Sequence, residues 1–300
     1  MMASFFDEIA ANRLKSFVLM LIFVLFFATV VYVVVLMLGG GLVTFAVGVA
    51  LVLLYAAFTY FKGDSVVLAV SRAKPAEEKQ YASLYASVEG LSSAMQIKMP
   101  KIYVIDDPNP NAFATGRRKR PSIAFTSGLL GTMNRDELDG VVAHELSHVY
   151  DNDILLMTLA IAFAGAIGLV AAYLRMSLFF GFGFGRRGGG NSGILLLVAL
   201  VVGLLAPLFA LLIRLAISRK REYMADANGA RVTRNPAGLA SALKKIQAYA
   251  TKPDSRPVAR ANEVTASLYF ANPFKKGSIS SIFSTHPPIE ERIKRLQAMY

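Results

Sequence analysis

The 300-residue chain has no cysteine, which excludes disulfide bonds and thiolate metal sites. Missing thiols fit a soluble portion in a reducing compartment. Charge is scarce as well. Asp, Glu, Lys and Arg supply 17% of the residues, hydrophobic types supply 55%, and the mean hydropathy is +0.48. That balance is too apolar for a soluble globule and indicates a membrane protein with a soluble portion. The formal charge of +12 raises the question of nucleic acid, but no nucleic-acid motif accompanies it. Lys and Arg gather in the cytoplasmic loops of multi-spanning proteins, beside anionic headgroups, and this accounts for the excess. Nucleic acid is therefore rejected as a partner and the lipid bilayer is expected. Histidine is nearly absent too. Of the three present, two stand four residues apart.

Four stretches carry almost no charge: Ser16 to Leu38, Leu42 to Phe61, Ile154 to Leu174, and Ile194 to Ile213 with Pro207 inside it. Each is long enough to cross a bilayer, and a proline is tolerated in a membrane helix. No small-residue cleavage site follows the first, so it is expected to be retained. Residues 1 to 15 mix apolar and charged types, as a short interfacial helix does. The chain divides into residues 1–61 (N-terminal segment and first hairpin), 62–153 (a first soluble segment), 154–217 (second hydrophobic hairpin) and 218–300 (a second soluble segment). In the first soluble segment a helical pattern covers Pro75 to Leu91. Short β-like segments follow at Ile102 to Ile105, Ala112 to Thr115 and Ser122 to Thr126, separated by turn-rich connectors, and predict a small, mostly antiparallel sheet. The basic run Arg117 to Arg120 reads as a solvated hairpin tip. The Gly- and Phe-rich segment from Phe179 to Gly193 carries no readable chemistry. Lys and Arg flank the first, second and fourth spans on one side, so the positive-inside rule places both termini and the soluble portion in the cytoplasm.

The two histidines belong to Val141-Val142-Ala143-His144-Glu145-Leu146-Ser147-His148. Residues four apart share one helix face, so His144 and His148 can offer two imidazoles to one metal ion. Glu145, about 100° round the helix, can reach a water on that metal. The H-E-x-x-H arrangement holds zinc with its histidines and uses its glutamate as general base. Asn134, with Asp136 and Glu137 behind it, is a good start for that helix. A catalytic zinc takes three protein ligands, yet no further histidine follows at a suitable spacing. Two hydrophobic stretches later the chain returns to the same membrane face at Arg219-Lys220-Arg221-Glu222-Tyr223-Met224-Ala225-Asp226. Glu222 and Asp226 are four apart. Glu222 can be the third ligand while Asp226 accepts a ring N–H from a ligating histidine; an ordinary polar helix is the alternative.

These motifs, with Asn111-Ala112-Phe113-Ala114-Thr115-Gly116 and Thr285-His286-Pro287-Pro288 followed by Arg292, resemble the HtpX branch of the M48 family of membrane-anchored zinc metallopeptidases across nearly the whole chain. The resemblance implies an α+β membrane protein: four hydrophobic helices with a zincin-like, mainly helical metalloprotease domain carrying a small antiparallel sheet. It implies one zinc on His144, His148 and Glu222, with Asp226 behind the ligands and Glu145 as the base. It further implies that Asn111, Ala112, Phe113 and Ala114 form an edge strand taking up polypeptide substrate by strand addition. His286 would help to stabilise the oxyanion, whereas from sequence alone it reads as a structural residue at a helix start. Arg292 could be a second such donor or a partner of nearby acids. The implied setting is a bacterial or archaeal cytoplasmic membrane, with the site on the cytoplasmic side and a role in quality control of membrane proteins.

Three other readings compete. An intramembrane protease of the site-two type also carries H-E-x-x-H, and Leu138-Asp139-Gly140 and Asn235-Pro236-Ala237-Gly238 faintly echo its motifs. A prenyl-protein processing peptidase shares the family motifs, but four hydrophobic segments are too few for one. A silent scaffold with structural zinc would need a fourth protein ligand, and the chain offers no obvious one.

Overall fold

The computed structural model describes residues 5–37, 39–163, 165–167, 203, 219–250 and 287–299. Helix α1 (Phe5–Met37) and helix α2 (Leu42–Val70) form a hairpin. Both are long and apolar enough to cross a membrane, with a mean hydropathy of 2.7 over Leu14–Val33 and 2.3 over Leu42–Val70. Gly39 adopts a left-handed φ of 68° at the turn, and Gly40 N–H closes onto the Val35 carbonyl at 2.8 Å. The expected interfacial helix is not a separate element. No glycine or proline interrupts residues 5–37, so the helix propagates through the charged segment into the apolar one. Leu25, Tyr32, Leu51, Leu54 and Phe58 are exposed along the two helices, as lipid-facing side chains are.

α2 runs past Phe61 to Val70 and carries the chain into the soluble domain. There β1 (Lys74–Pro75), α3 (Ala82–Ala94), β2 (Lys101–Ile105), β3 (Ala112–Arg117), β4 (Arg120–Thr126), α4 (Ser127–Thr132) and α5 (Arg135–Tyr150) follow in turn. Next come α6 (Ile154–Ile167), α7 (Arg219–Thr233), α8 (Pro236–Ala250) and α9 (Ile289–Gln297). The expected third hydrophobic stretch is represented by α6, which leaves α5 at an angle of 83°. The expected fourth stretch and the Phe179 to Gly193 segment lie outside the described residues.

The sheet is mostly antiparallel, as expected, but not wholly so: one of its three strand pairs is parallel, which makes it mixed. Its order is β1-β2-β4-β3, with β1 and β3 antiparallel to their neighbours but β2 parallel to β4, Ile102 opposite Ile123. The cause lies in the connector after β2, which is not a hairpin. Asp107 Oδ1 accepts from Asn109 N–H at 2.8 Å, and Asn111 exchanges bonds with Thr126 at 2.8 and 2.9 Å. The chain is thereby carried past the place of β4 to the sheet edge. A tight hairpin then brings β4 back between β3 and β2, running the same way as β2. Gly116, at φ 101°, permits that turn, since a Cβ there would lie 2.6 Å from the Arg120 carbonyl oxygen.

The soluble core gathers Ile123, Phe125, Leu129, Val142, Leu146 and Leu243 around α5. Asn134 and Glu137 form a reciprocal capping box at the α5 N-terminus, at 2.8 and 3.0 Å. Glu137 also accepts from Ser241 and Lys245 of α8, at 2.7 and 2.6 Å. Burial would raise its pKa, but these bonds hold it below the usual glutamate value. Two glycines allow close helix crossings: a Cβ on Gly140 would lie 2.9 Å from Leu239 Cα, and one on Gly229 would lie 3.2 Å from His144 N.

Candidate metal centre

From Gly140 to Val149 every residue of α5 is buried. On that face His144 Nε2 and His148 Nε2 lie 3.2 Å apart, one turn separating them. α7, seated against α5 through Gly229, brings in Glu222. Its carboxylate oxygens lie 3.8 Å from His144 Nε2 and 3.6 Å from His148 Nε2. Ligand atoms held tetrahedrally at 2.0–2.2 Å from one ion are roughly 3.3–3.6 Å apart. The three side chains therefore fit one metal ion with little adjustment, and among the described residues they are the one such group. A tetrahedral ion on three protein ligands keeps one position for water or substrate.

Both imidazoles are oriented from behind. His144 Nδ1 is 3.0 Å from Asp226 Oδ1, and His148 Nδ1 is 3.0 Å from Asp153 Oδ2. Each Nδ1–H donates to a carboxylate, so Nε2 is the atom that each neutral ring would offer to a metal. Arg292, fully buried on α9, grips Asp226 with Nε at 2.8 Å and Nη2 at 2.7 Å, and its Nη1 lies 3.7 Å from Glu222. Of the two roles open to Arg292 in the sequence, the geometry is that of a partner to these acids. Asp153 was invisible as a site residue, because Asp151-Asn152-Asp153 reads as a polar helix break. Asn152 takes a left-handed φ of 57°, and Asp153 N–H donates to the His148 carbonyl at 3.3 Å. The break thus folds the Asp153 carboxylate back onto the ring. An acid five residues after the second histidine was the only available signal.

The groups titrate abnormally. Burial pushes Glu145 up to about 7; Glu222 adds to this, while His148 and a hydrogen bond from Ala114 N–H oppose it. The two imidazoles move in opposite directions. Burial, helped by the Arg292 charge, lowers His144 to about 4 against the pull of Asp226. Burial would lower His148 also, but Asp153 and the nearby glutamates outweigh it and raise His148 to about 10. For Asp226, burial alone would raise the carboxyl, and Arg292 holds it below the usual range instead.

Asn111, Ala112, Phe113 and Ala114 lie beside this face. β3 is the sheet edge. Its partner for Gly116 is Pro121, which has no N–H, so Ala112, Ala114 and Gly116 turn their backbone groups outward. Their N–H groups are met by side-chain oxygens: Asn111 Oδ1 at 3.0 Å, the Glu145 carboxylate, and Thr158 Oγ1 of α6 at 2.9 Å. Phe113 points the other way, into a cluster with Val67 and Leu68 of α2 and Met157 and Ile161 of α6. His286 lies outside the described residues.

The two echoes of an intramembrane protease have structural explanations. Asp139 is hydrogen-bonded to Ser87 of α3, away from the metal face. Asn235 caps α8 by accepting from Gly238 N–H at 3.0 Å, with Pro236 as the first helical residue.

Residues 78–300 match the model of Peptidase family M48. The chain is 42% identical over 299 residues to a protein named "Protease HtpX homolog" from Dictyoglomus turgidum, covering 99% of this chain and 95% of that one. A protein of the same name from Caldanaerobacter subterraneus subsp. tengcongensis is 42% identical over 294 residues, covering 97% and 96%. One from Streptococcus thermophilus is 40% identical over 303 residues, covering 98% and 99%.

Proposed function

The chain belongs to peptidase family M48 and is a membrane-bound metallopeptidase; on that premise we propose that it is a zinc endopeptidase whose metal rests on His144, His148 and Glu222. One observation carries this: two Nε2 atoms and a carboxylate stand at one ion's spacing, with both rings oriented from behind by carboxylates. Two imidazoles and a carboxylate are a common donor set for catalytic zinc. Bound there, zinc would polarise the scissile carbonyl and bring the pKa of water down to about 7.

The other groups belong to the chain itself. Glu145, raised toward neutrality by burial, takes the proton of the attacking water and passes it to the leaving amine. Ala112 and Ala114 offer outward backbone groups to an extended substrate, which joins the sheet as a further strand. A substrate carbonyl at Ala114 N–H would displace the Glu145 carboxylate and free it for the water. Asp226 and Asp153 hold the two rings in the tautomer that exposes Nε2. His286, a few residues ahead of the helix that delivers Arg292, donates to the developing oxyanion. Main-chain recognition suits varied polypeptides, and the basic flanks of the spans favour a cytoplasmic site. Damaged or misassembled membrane proteins are the proposed substrates.

The test is metal content and cleavage of an unfolded model protein by purified wild type and Glu222→Ala. The variant should lose both. Retention of both would remove Glu222 from the site and with it the ligand set.

A further inference from the structure

A cleft of about 260 Å³ opens where α2 leaves its apolar stretch, between that helix and the near end of the sheet. Lys62, Lys98, Lys101 and Arg120 line it with one carboxylate, Asp64, and with Phe61 at its lip. Among the described residues none of these four cations is held in an ion pair, whereas Lys245, Arg292 and Arg295 each have an acidic partner. Four cations against the single Asp64 carboxylate leave the cleft with a positive excess, which attracts an anion. The volume is below the roughly 300–1,000 Å³ of sites for drug-sized ligands, so a small anionic group fits and a large one does not.

The height of the cleft says what kind of anion. The apolar run Leu42 to Phe61 is about 30 Å of helix, the thickness of a hydrocarbon core, so Lys62 stands at headgroup level. Tyr60 and Phe61 mark the interface there, and the Arg117 guanidinium lies 5.0 and 5.1 Å from their ring centroids. Lysine and arginine clusters next to a span recognise anionic lipid. We propose that this cleft binds the phosphate-bearing headgroup of an anionic phospholipid in the leaflet that faces the soluble domain. The phosphate oxygens accept from the three lysines and Arg120, and Phe61 contacts the apolar base of the lipid. Arg120 and its neighbours on β4 are paired with Gly116 and Arg117 of β3, so the bound headgroup sits against the strand pair that borders the metal centre. The proposal needs α2 in a membrane but not the peptidase chemistry.

The experiment uses the full chain in nanodiscs of equal phosphatidylcholine and phosphatidylglycerol, with native mass spectrometry counting the lipids retained. Wild type should keep phosphatidylglycerol preferentially. Lys98→Gln/Lys101→Gln should lose that preference by roughly fivefold for each lysine removed, while Lys98→Arg/Lys101→Arg keeps it. Unchanged metal content and melting temperature certify that the variants fold. A second arm follows the ³¹P line width of inorganic phosphate with lipid-free protein in detergent. Lipid preference that depends on the lysines supports the proposal, whether or not phosphate also broadens. Broadening without any lipid preference assigns a free phosphate ion and overturns it. A preference that the Gln variant retains, or no preference at all, overturns it too.

Discussion

The two imidazoles of the metal centre stand one turn apart on α5, yet different regions of the molecule hold them. His144 is braced from far along the chain: Asp226 comes from α7 and is clamped by Arg292 from α9, so both of its oxygens are engaged. His148 is braced from next door, by Asp153 in the bend that leads into α6, and Asp153 Oδ1 has no hydrogen-bond partner among the described residues. The first brace forms only when three distant helices have packed. The second is set mainly by a local break and by the direction in which the apolar helix departs, with Arg221 of α7 4.0 Å from the same Asp153 oxygen. One site therefore reports on two things: assembly of the soluble domain and its junction with the membrane-embedded region.

The strongest test leaves both braces alone. Glu145→Gln should retain the metal while cleavage of an unfolded protein falls by about 10²–10⁴-fold. Loss of metal in that variant would make Glu145 a member of the support and not the base. The comparison itself is broken by Asp226→Ala and Asp153→Ala, measured side by side. Either change should weaken metal affinity by about 10–100-fold. Asp226→Ala strips the fully buried Arg292 of two short hydrogen bonds, whereas Asp153→Ala removes only a 4.0 Å contact with Arg221, so Asp226→Ala should cost the more, about 3–5 kcal/mol in denaturant unfolding of the metal-free protein. Equal stability losses in the two variants would erase the distinction. The smallest signal is a proton. With His148 raised by Asp153 and His144 lowered by burial, the metal-free site at neutral pH carries its proton on the His148 side. A metal must displace that proton, so affinity should drop about tenfold for each pH unit that falls below the His148 value. Calorimetry in buffers of different ionisation enthalpy should find about one proton released at pH 7, and none in Asp153→Ala.

Much of this was readable in the chain because its causes are local. Four-residue spacing put His144 with His148 and Glu222 with Asp226, and the capping residues placed the start of α5. β2, β3 and β4 lie within two residues of their predicted bounds, because alternation and turn residues are written in the segment itself; β1 was not predicted, and the helix expected from Pro75 starts only at Ala82. What escaped depends on partners. No turn chemistry says that β4 will insert between β2 and β3, so the parallel pair could not be anticipated. Asp153 looked like punctuation, since its role depends on the left-handed Asn152 folding it back. Arg292 could be read two ways until α9 was placed against α7.

The overhang of α2 fixes a length. About twenty residues of that helix fill the apolar layer, and those from Lys62 to Val70 extend about 13 Å beyond it. Phe113 of the edge strand packs against Val67 and Leu68 on this projecting stretch. An extended chain advances about 3.3 Å per residue, so a polypeptide tail leaving the bilayer needs only about four residues to come level with β3. A damaged membrane protein, the substrate proposed above, would come within reach near the membrane surface while still tethered in lipid, with no distant domain to unfold first.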